Sequence, residues 1–160
     1  MSTFVIRTEE LSKVLKKEGA KIARCVQIAL KIAAERWRKY LVNRVDDLGI
    51  ADTGGYQEGF QVSVLGGRVV VRNTHPAAGV IELGAAPHPV SIEGQEMIRG
   101  WCVRKLGLSE KEARNAAFLI CRKIREFGQE PKYVVRDSLP QLLKYFEIEL
   151  GSALRSEYAK

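Results

Sequence analysis

Ala51-Asp52-Thr53-Gly54-Gly55-Tyr56-Gln57-Glu58-Gly59-Phe60-Gln61-Val62-Ser63-Val64-Leu65-Gly66-Gly67-Arg68-Val69-Val70-Val71-Arg72 is the stretch from which the fold can be read. If Gly66-Gly67 make a two-residue turn, Leu65 faces Arg68, Val64 faces Val69, Ser63 faces Val70 and Val62 faces Val71. Side chains alternate between the two faces of a strand, so Phe60, Val62, Val64, Val69 and Val71 share one apolar face. Gln61 and Ser63 fall opposite Arg72 and Val70 on the wetter one. A Gly-Gly pair supplies the positive φ angles that a tight hairpin turn requires. The pattern predicts an antiparallel hairpin over about 59–73. Before it, Asp52-Thr53-Gly54 is turn chemistry, because short polar side chains bond their own backbone and glycine then lets the chain reverse. After it, Val80-Ile81-Glu82-Leu83-Gly84 is short, apolar and closed by glycine, which predicts a third strand or buried extended segment over about 79–83.

Outward from this sheet the chain is helical. Thr8 can cap a helix that carries Glu9 and Glu10 in its first turn, where the helix dipole favours acids. Leu11, Val14, Leu15, Ile22, Val26, Ala29, Ala33, Trp37, Leu41, Val45 and Leu48 then recur at the spacing of one helical face. An unbroken helix over about 9–47 would be roughly 57 Å long at ~1.5 Å per residue. A domain this small has too little other surface to cover such a rod, so part of its apolar stripe is expected to meet another subunit. Downstream, two prolines exclude helix from Ala85-Ala86-Pro87-His88-Pro89-Val90, which reads as a surface loop. Ser91 or Glu93 opens a helix that Gly107 closes. Ser109-Glu110-Lys111-Glu112 is a capping box for another, ended by Gly128. Pro131 interrupts the chain, Tyr133-Val134-Val135 reads as a brief extended piece, and a last helix covers about 138–157 with Pro140 in its first turn.

At 160 residues, with 46% hydrophobic and 28% charged side chains, the composition is that of one ordinary globular domain. The net charge of +7 points to a polyanion nearby, nucleic acid being the commonest. Cys25, Cys102 and Cys121 have no paired spacing and read as reduced thiols. The N-terminus lacks a signal-peptide pattern and no run approaches a membrane span. Catalytic chemistry finds little footing. No nucleotide-binding glycine pattern or His-Glu-x-x-His is present. His75 and His88 each sit beside a proline in a loop, which suits a loop or interface residue better than a general base. Both histidines with Cys102 and Cys121 lack the local spacing of a zinc site. Asp46 and Asp47 are placed to end a helix and Asp52 to hold a turn, which leaves Glu58 and Glu82 a poor nucleus for a divalent cation. Glu82, between Ile81 and Leu83, is the one acid expected to face inward and need a partner. The expected chemistry is therefore non-enzymatic, with no catalytic residues, metal or cofactor.

Asp52-Thr53-Gly54-Gly55-Tyr56, the hairpin over 60–72, Glu82-Leu83-Gly84 and Pro131-Lys132-Tyr133 before a last helix occur here in one order. That order resembles the minor tail or tail-completion (neck) proteins of long-tailed bacteriophages. The helix around Ala117-Phe118-Leu119-Ile120, ending at Gly128, also looks like the one that often precedes their Pro-aromatic segment. Ala51 stands where a Pro-Val pair or similar is usual, and 85–108 is longer than in the simplest members. The resemblance implies an α+β fold in a single domain over 1–160. A long N-terminal helix would pack on a small antiparallel sheet within a core spanning 51–84, and three further helices would fill 91–158. It implies a virion structural protein, made in the host bacterial cytoplasm, that forms a homo-oligomeric ring, commonly a hexamer. The ring would complete the tail and join it to the head. Its partners would be neighbouring neck or tail proteins, with non-specific contact to passing double-stranded DNA and none with membrane. Asp52, Thr53, Gly54, Gly66, Gly67, Glu82, Gly84, Pro131 and Tyr133 become candidate structural or interface residues. The alternative is a basic DNA-binding protein of helix-turn-helix type, built on the helices over 92–106 and 109–127. Glu110, Glu112, Ala113, Ala116 and Ala117 occupy the turns where base-reading side chains would sit, which favours contact with the backbone alone.

Overall fold

Forty residues of unbroken helix, Thr8–Asp47 (α1), begin the computed structural model, which describes residues 8–50, 52–65 and 68–159. The helix ends where glycine permits it. Gly49 has φ 65°, its N–H donates to Asp46 O at 2.9 Å, and Ile50 N–H donates to Val45 O at 3.1 Å. This is the paired reverse bonding that satisfies the last carbonyls of a helix. Gly19 lies inside α1 without breaking it. A four-residue helix, Gly55–Glu58 (α2), follows the Asp52 turn and was not foreseen. The strands Phe60–Leu65 (β1) and Arg68–Asn73 (β2) form a two-stranded sheet. Thr74 N–H donates to Gly59 O at 3.0 Å and Arg72 reaches Gln61 Oε1 at 3.4 Å, so the register is the one the alternation predicts. Phe60 is buried while Val62 and Val71 are half-buried. The Gly66-Gly67 turn lies outside the described residues.

The segment predicted as a third strand is a helix. Ala78–Leu83 (α3) is held by Ile81 N–H to Ala77 O and Gly84 N–H to Val80 O, at 2.9 and 2.8 Å. A short apolar run closed by glycine satisfies either element. His75 decides the matter locally. Its Nδ1 accepts from Ala77 N–H at 3.2 Å and its carbonyl from Ala78 N–H at 2.9 Å, which starts the turn. Beyond the loop come Ile92–Leu106 (α4), Glu110–Phe127 (α5), a 3-10 turn over Arg136–Ser138 and Leu139–Tyr158 (α6). Ser91 caps α4 by accepting from Gly94 N–H, and the Ser109/Glu112 capping box of α5 forms as the sequence predicts. Tyr133-Val134-Val135 is not extended. Tyr133 has φ 47° and its carbonyl accepts from Asp137 N–H at 3.0 Å, making a turn that leads into the 3-10 segment.

The chain's contacts fall into two units. The first holds α1 up to Lys39, residues Val62–Val71 and everything from Leu139 onward. Here α6 runs antiparallel to α1: Tyr158 Oη donates to Glu18 at 2.8 Å, Cys25 Sγ faces Ala153 O at 3.7 Å, and Arg36 pairs with Glu149 while lying over the Tyr145 ring. Cys25, Ala29, Ala33 and Ala34 of α1 are buried. Ile22 of the predicted stripe is exposed, as are Ile28 and Ile32. The second unit spans Tyr40–Gln61 and Arg72–Ser138, with Leu41, Val45, Tyr56, Phe60, Cys102, Ala113, Ala117 and Val134 buried. No described helix is long and apolar enough to cross a membrane.

Candidate functional site

Four of the residues singled out in the sequence come together in the second unit. Glu82 sits in the last turn of α3, half-buried, and its carboxylate is fully engaged within the chain. Oε2 accepts from Val135 N–H and Oε1 from Arg136 N–H, each at 2.9 Å. The carboxylate thus caps the 3-10 turn, the charge-assisted use of an acid against free amides. The neighbouring backbone is stitched in the same place. Lys132 N–H donates to Ile81 O at 2.8 Å and Tyr133 N–H to Glu82 O at 3.3 Å. Ala85 and Gln129 exchange both backbone hydrogen bonds, at 2.9 and 2.8 Å.

Gly84 and Gly128 each precede one residue of that isolated bridge, with φ 74° and 76°. A side chain on Gly84 would meet Gln129 O and Pro131, and one on Gly128 would meet Ala85 O. Pro131 therefore packs against the bare face of Gly84. Tyr133 follows, its ring covered by the Arg136 guanidinium at 3.2 Å, and Arg136 also holds Asp137 at 2.9 Å. Val134 and Ser138 are the buried members of this turn. Gln129 and Arg136 were missed in the sequence. Gly128 had been read only as a helix stop, although a glycine following a helix can also mark a close backbone approach.

Asp52, Thr53 and Gly54 form a separate feature. Gly54, at φ 88°, turns the chain into α2 and accepts Glu58 N–H at 3.0 Å. Asp52 binds Arg104 of α4 through both oxygens, at 3.0 and 2.5 Å, and the guanidinium beside it holds its carboxyl below the usual aspartate range. A depressed folded pKa gives stability that is complete above the unfolded value and is lost as pH falls through the folded one. Stability should therefore decline below about pH 4, and Asp52→Asn should show a smaller decline when melts at pH 6 and pH 3 are compared. The pair is half-open to water, so the difference should stay under about 1 kcal/mol. An equal acid decline in the variant would show that the pair contributes nothing. Near this turn Tyr56 stacks edge-on against Phe60 and His75, at 5.4 and 5.7 Å. Burial, and then the Glu82 charge, push its hydroxyl up to about 12. Asn73 ties the group together, donating to Tyr56 O and accepting from His75 N–H at 2.9 and 2.8 Å.

The Glu82 carboxylate and His75 Nδ1 accept from backbone amides, and the Asp52 carboxylate from the Arg104 guanidinium. His88 Nδ1 lies 2.8 Å from Ala86 O. Among the described residues no three His, Cys, Asp or Glu side chains gather as metal ligands would. Apolar side chains also lie open on the surface. Ile98, Trp101, Ile120, Ile124 and Phe127, with Lys123, Glu130 and Lys132, line a groove of about 590 Å³ along α4 and α5. Phe127 at its edge is 73% exposed. Leu139 and Leu143 of α6 are exposed as well. Set against protein-family models, curated proteins and solved structures, the chain matches none.

Proposed function

We propose that this chain is a structural subunit of a phage neck or tail, one copy of a ring that completes the tail and joins it to the head while DNA passes through. One observation carries the proposal. Among the described residues, seventeen large hydrophobic side chains are exposed, whereas thirteen hydrophobic ones are buried and seven of those are Ala or Cys. A monomer whose larger apolar side chains lie mostly outside its core gains by covering them against another copy. Repeated contact between copies covers such surface, and head-to-tail contacts that close make a ring. The order of elements supports the same reading: a long helix, a hairpin, the Glu82-Gly84 corner locked to Pro131-Tyr133, and a final helix. The engaged side chains around Glu82 fit a part that holds shape and performs no bond chemistry.

Sedimentation velocity and electron microscopy of the purified protein, alone and mixed with tail-tube particles, test this. The expected result is a closed ring, six copies being the number the resemblance implies, or incorporation at one end of the tube. A strict monomer that never joins a particle contradicts it.

A further inference from the structure

Lys111, Arg114, Phe118, Arg122 and Arg125 recur along α5 at intervals of three or four residues, so they form one row on one face. All five are exposed, Phe118 by 68%. The row is about 21 Å long at ~1.5 Å per residue. Lys111, Arg114 and Arg125 have no acidic partner among the described residues, whereas Arg99 is committed to Glu96 and Glu110, and Arg104 to Asp52. Arg122 holds Glu126 at 2.9 Å, an exposed pair that a phosphate displaces readily. Beside the ring in the middle of the row lies a cavity of about 170 Å³ walled by Pro89, Val90, Gln95, Phe118, Arg122 and Arg125. Gln95 spends its amide N–H on Val90 O at 3.1 Å, which leaves the carboxamide oxygen as an acceptor.

This combination is specific in chemistry. Cations alone would suit any polyanion. A bare aromatic face set among them, next to a small pocket offering a hydrogen-bond acceptor, suits a polyanion that carries flat rings. Paired bases in a duplex cannot reach Phe118, but unpaired ones can stack on it while their phosphates lie along the arginines. We propose that this face of α5 is a sequence-blind site for single-stranded nucleic acid, with Phe118 stacking a base and Lys111, Arg114, Arg122 and Arg125 neutralising the backbone. It rests on α5, the loop before α4 and Gln95 in the first turn of α4, and does not depend on the ring assembly.

Fluorescence anisotropy of a labelled oligothymidylate, the matching duplex and polyglutamate, each at two salt concentrations, tests the assignment. For four phosphate contacts the log–log salt slope on the single strand should be about −2.8, falling to about −1.4 in Arg114→Gln/Arg125→Gln. Phe118→Ala should weaken single-strand binding about 5- to 150-fold and leave duplex binding unchanged, with Phe118→Trp restoring it. Lys31→Gln/Lys39→Gln, on exposed positions of α1, should change neither. Melting curves of all variants should coincide, because every substituted side chain is at the surface. Polyglutamate bound as tightly as the oligonucleotide, an unaffected Phe118→Ala, an equal loss in the α1 variant, or no binding at all would each overturn the proposal.

Discussion

Gly84→Ala and Gly128→Ala should each lower the free energy of unfolding by about 3–5 kcal/mol, the sum of backbone strain and two broken backbone hydrogen bonds. Both glycines occupy a region of φ and ψ that other residues scarcely visit: φ 74° with ψ −175° at Gly84, and φ 76° with ψ −160° at Gly128. A side chain there costs roughly 1–3 kcal/mol in strain alone. The added carbon also has nowhere to go. At Gly84 it would collide with Gln129 O and stand 3.0 Å from Pro131 Cδ, and at Gly128 it would collide with Ala85 O. Both obstructing oxygens belong to the backbone bridge between Ala85 and Gln129, so relief requires opening that bridge. Against a typical stability of about 5–15 kcal/mol, such losses bring a marginal fold close to unfolding. Gly19→Ala should do the reverse. Gly19 is mid-helix with nothing within 4 Å of the added carbon, so alanine should stabilise by up to about 1 kcal/mol. Urea titrations of the three variants measure all of this. Corner variants within about 0.5 kcal/mol of the parent would show that the close approach is not maintained in solution.

That corner marks the limit of what the sequence makes legible. Helix ends were readable because their signals are local: Ser109 with Glu112, Gly107 after Leu106, Ser91 before Ile92. The hairpin was readable because its alternation and its turn residues agree. Ala78–Leu83 was not, since six residues with a terminal glycine fit strand or helix equally, and what decides between them lies outside the six. The same holds for Tyr133, whose positive φ belongs to a turn fastened by a carboxylate far back in the chain. Long-range partners leave no local trace at all. Nothing near Asp52 announces Arg104, which lies 52 residues away. Periodicity likewise shows that a face of α1 is apolar, but not which part the chain covers for itself. Ala29, Ala33, Trp37, Leu41 and Val45 are buried, yet Ile22 and Leu48 from the same stripe are exposed, and Cys25 and Ala34 outside it are buried. Glu82, Gly84, Pro131 and Tyr133 were singled out separately, and only the fold shows that they form one corner.

Glu82 carries the second large effect. Removing its side chain in Glu82→Ala leaves the half-buried Val135 amide and the more exposed Arg136 amide without acceptors. Hydrogen bonds to a charged group contribute about 1.5–3 kcal/mol each, and partial access to water reduces their sum, so a loss of about 2–4 kcal/mol is expected. Glu82→Gln should fall between parent and alanine, because one carboxamide oxygen still accepts while the amide group faces a second donor. Val134 and Ser138 are buried within the turn that these bonds hold, so its release should expose them and accelerate exchange at the Val135 and Arg136 amides. Hydrogen exchange and thermal melting of the unassembled chain make the decisive comparison, since Glu82 could instead serve a neighbouring subunit. With both oxygens bound inside its own chain, the variant must be weakened even as an isolated protein. If melting and exchange match the parent and only ring formation fails, the carboxylate works between subunits and its role in closing this turn is wrong.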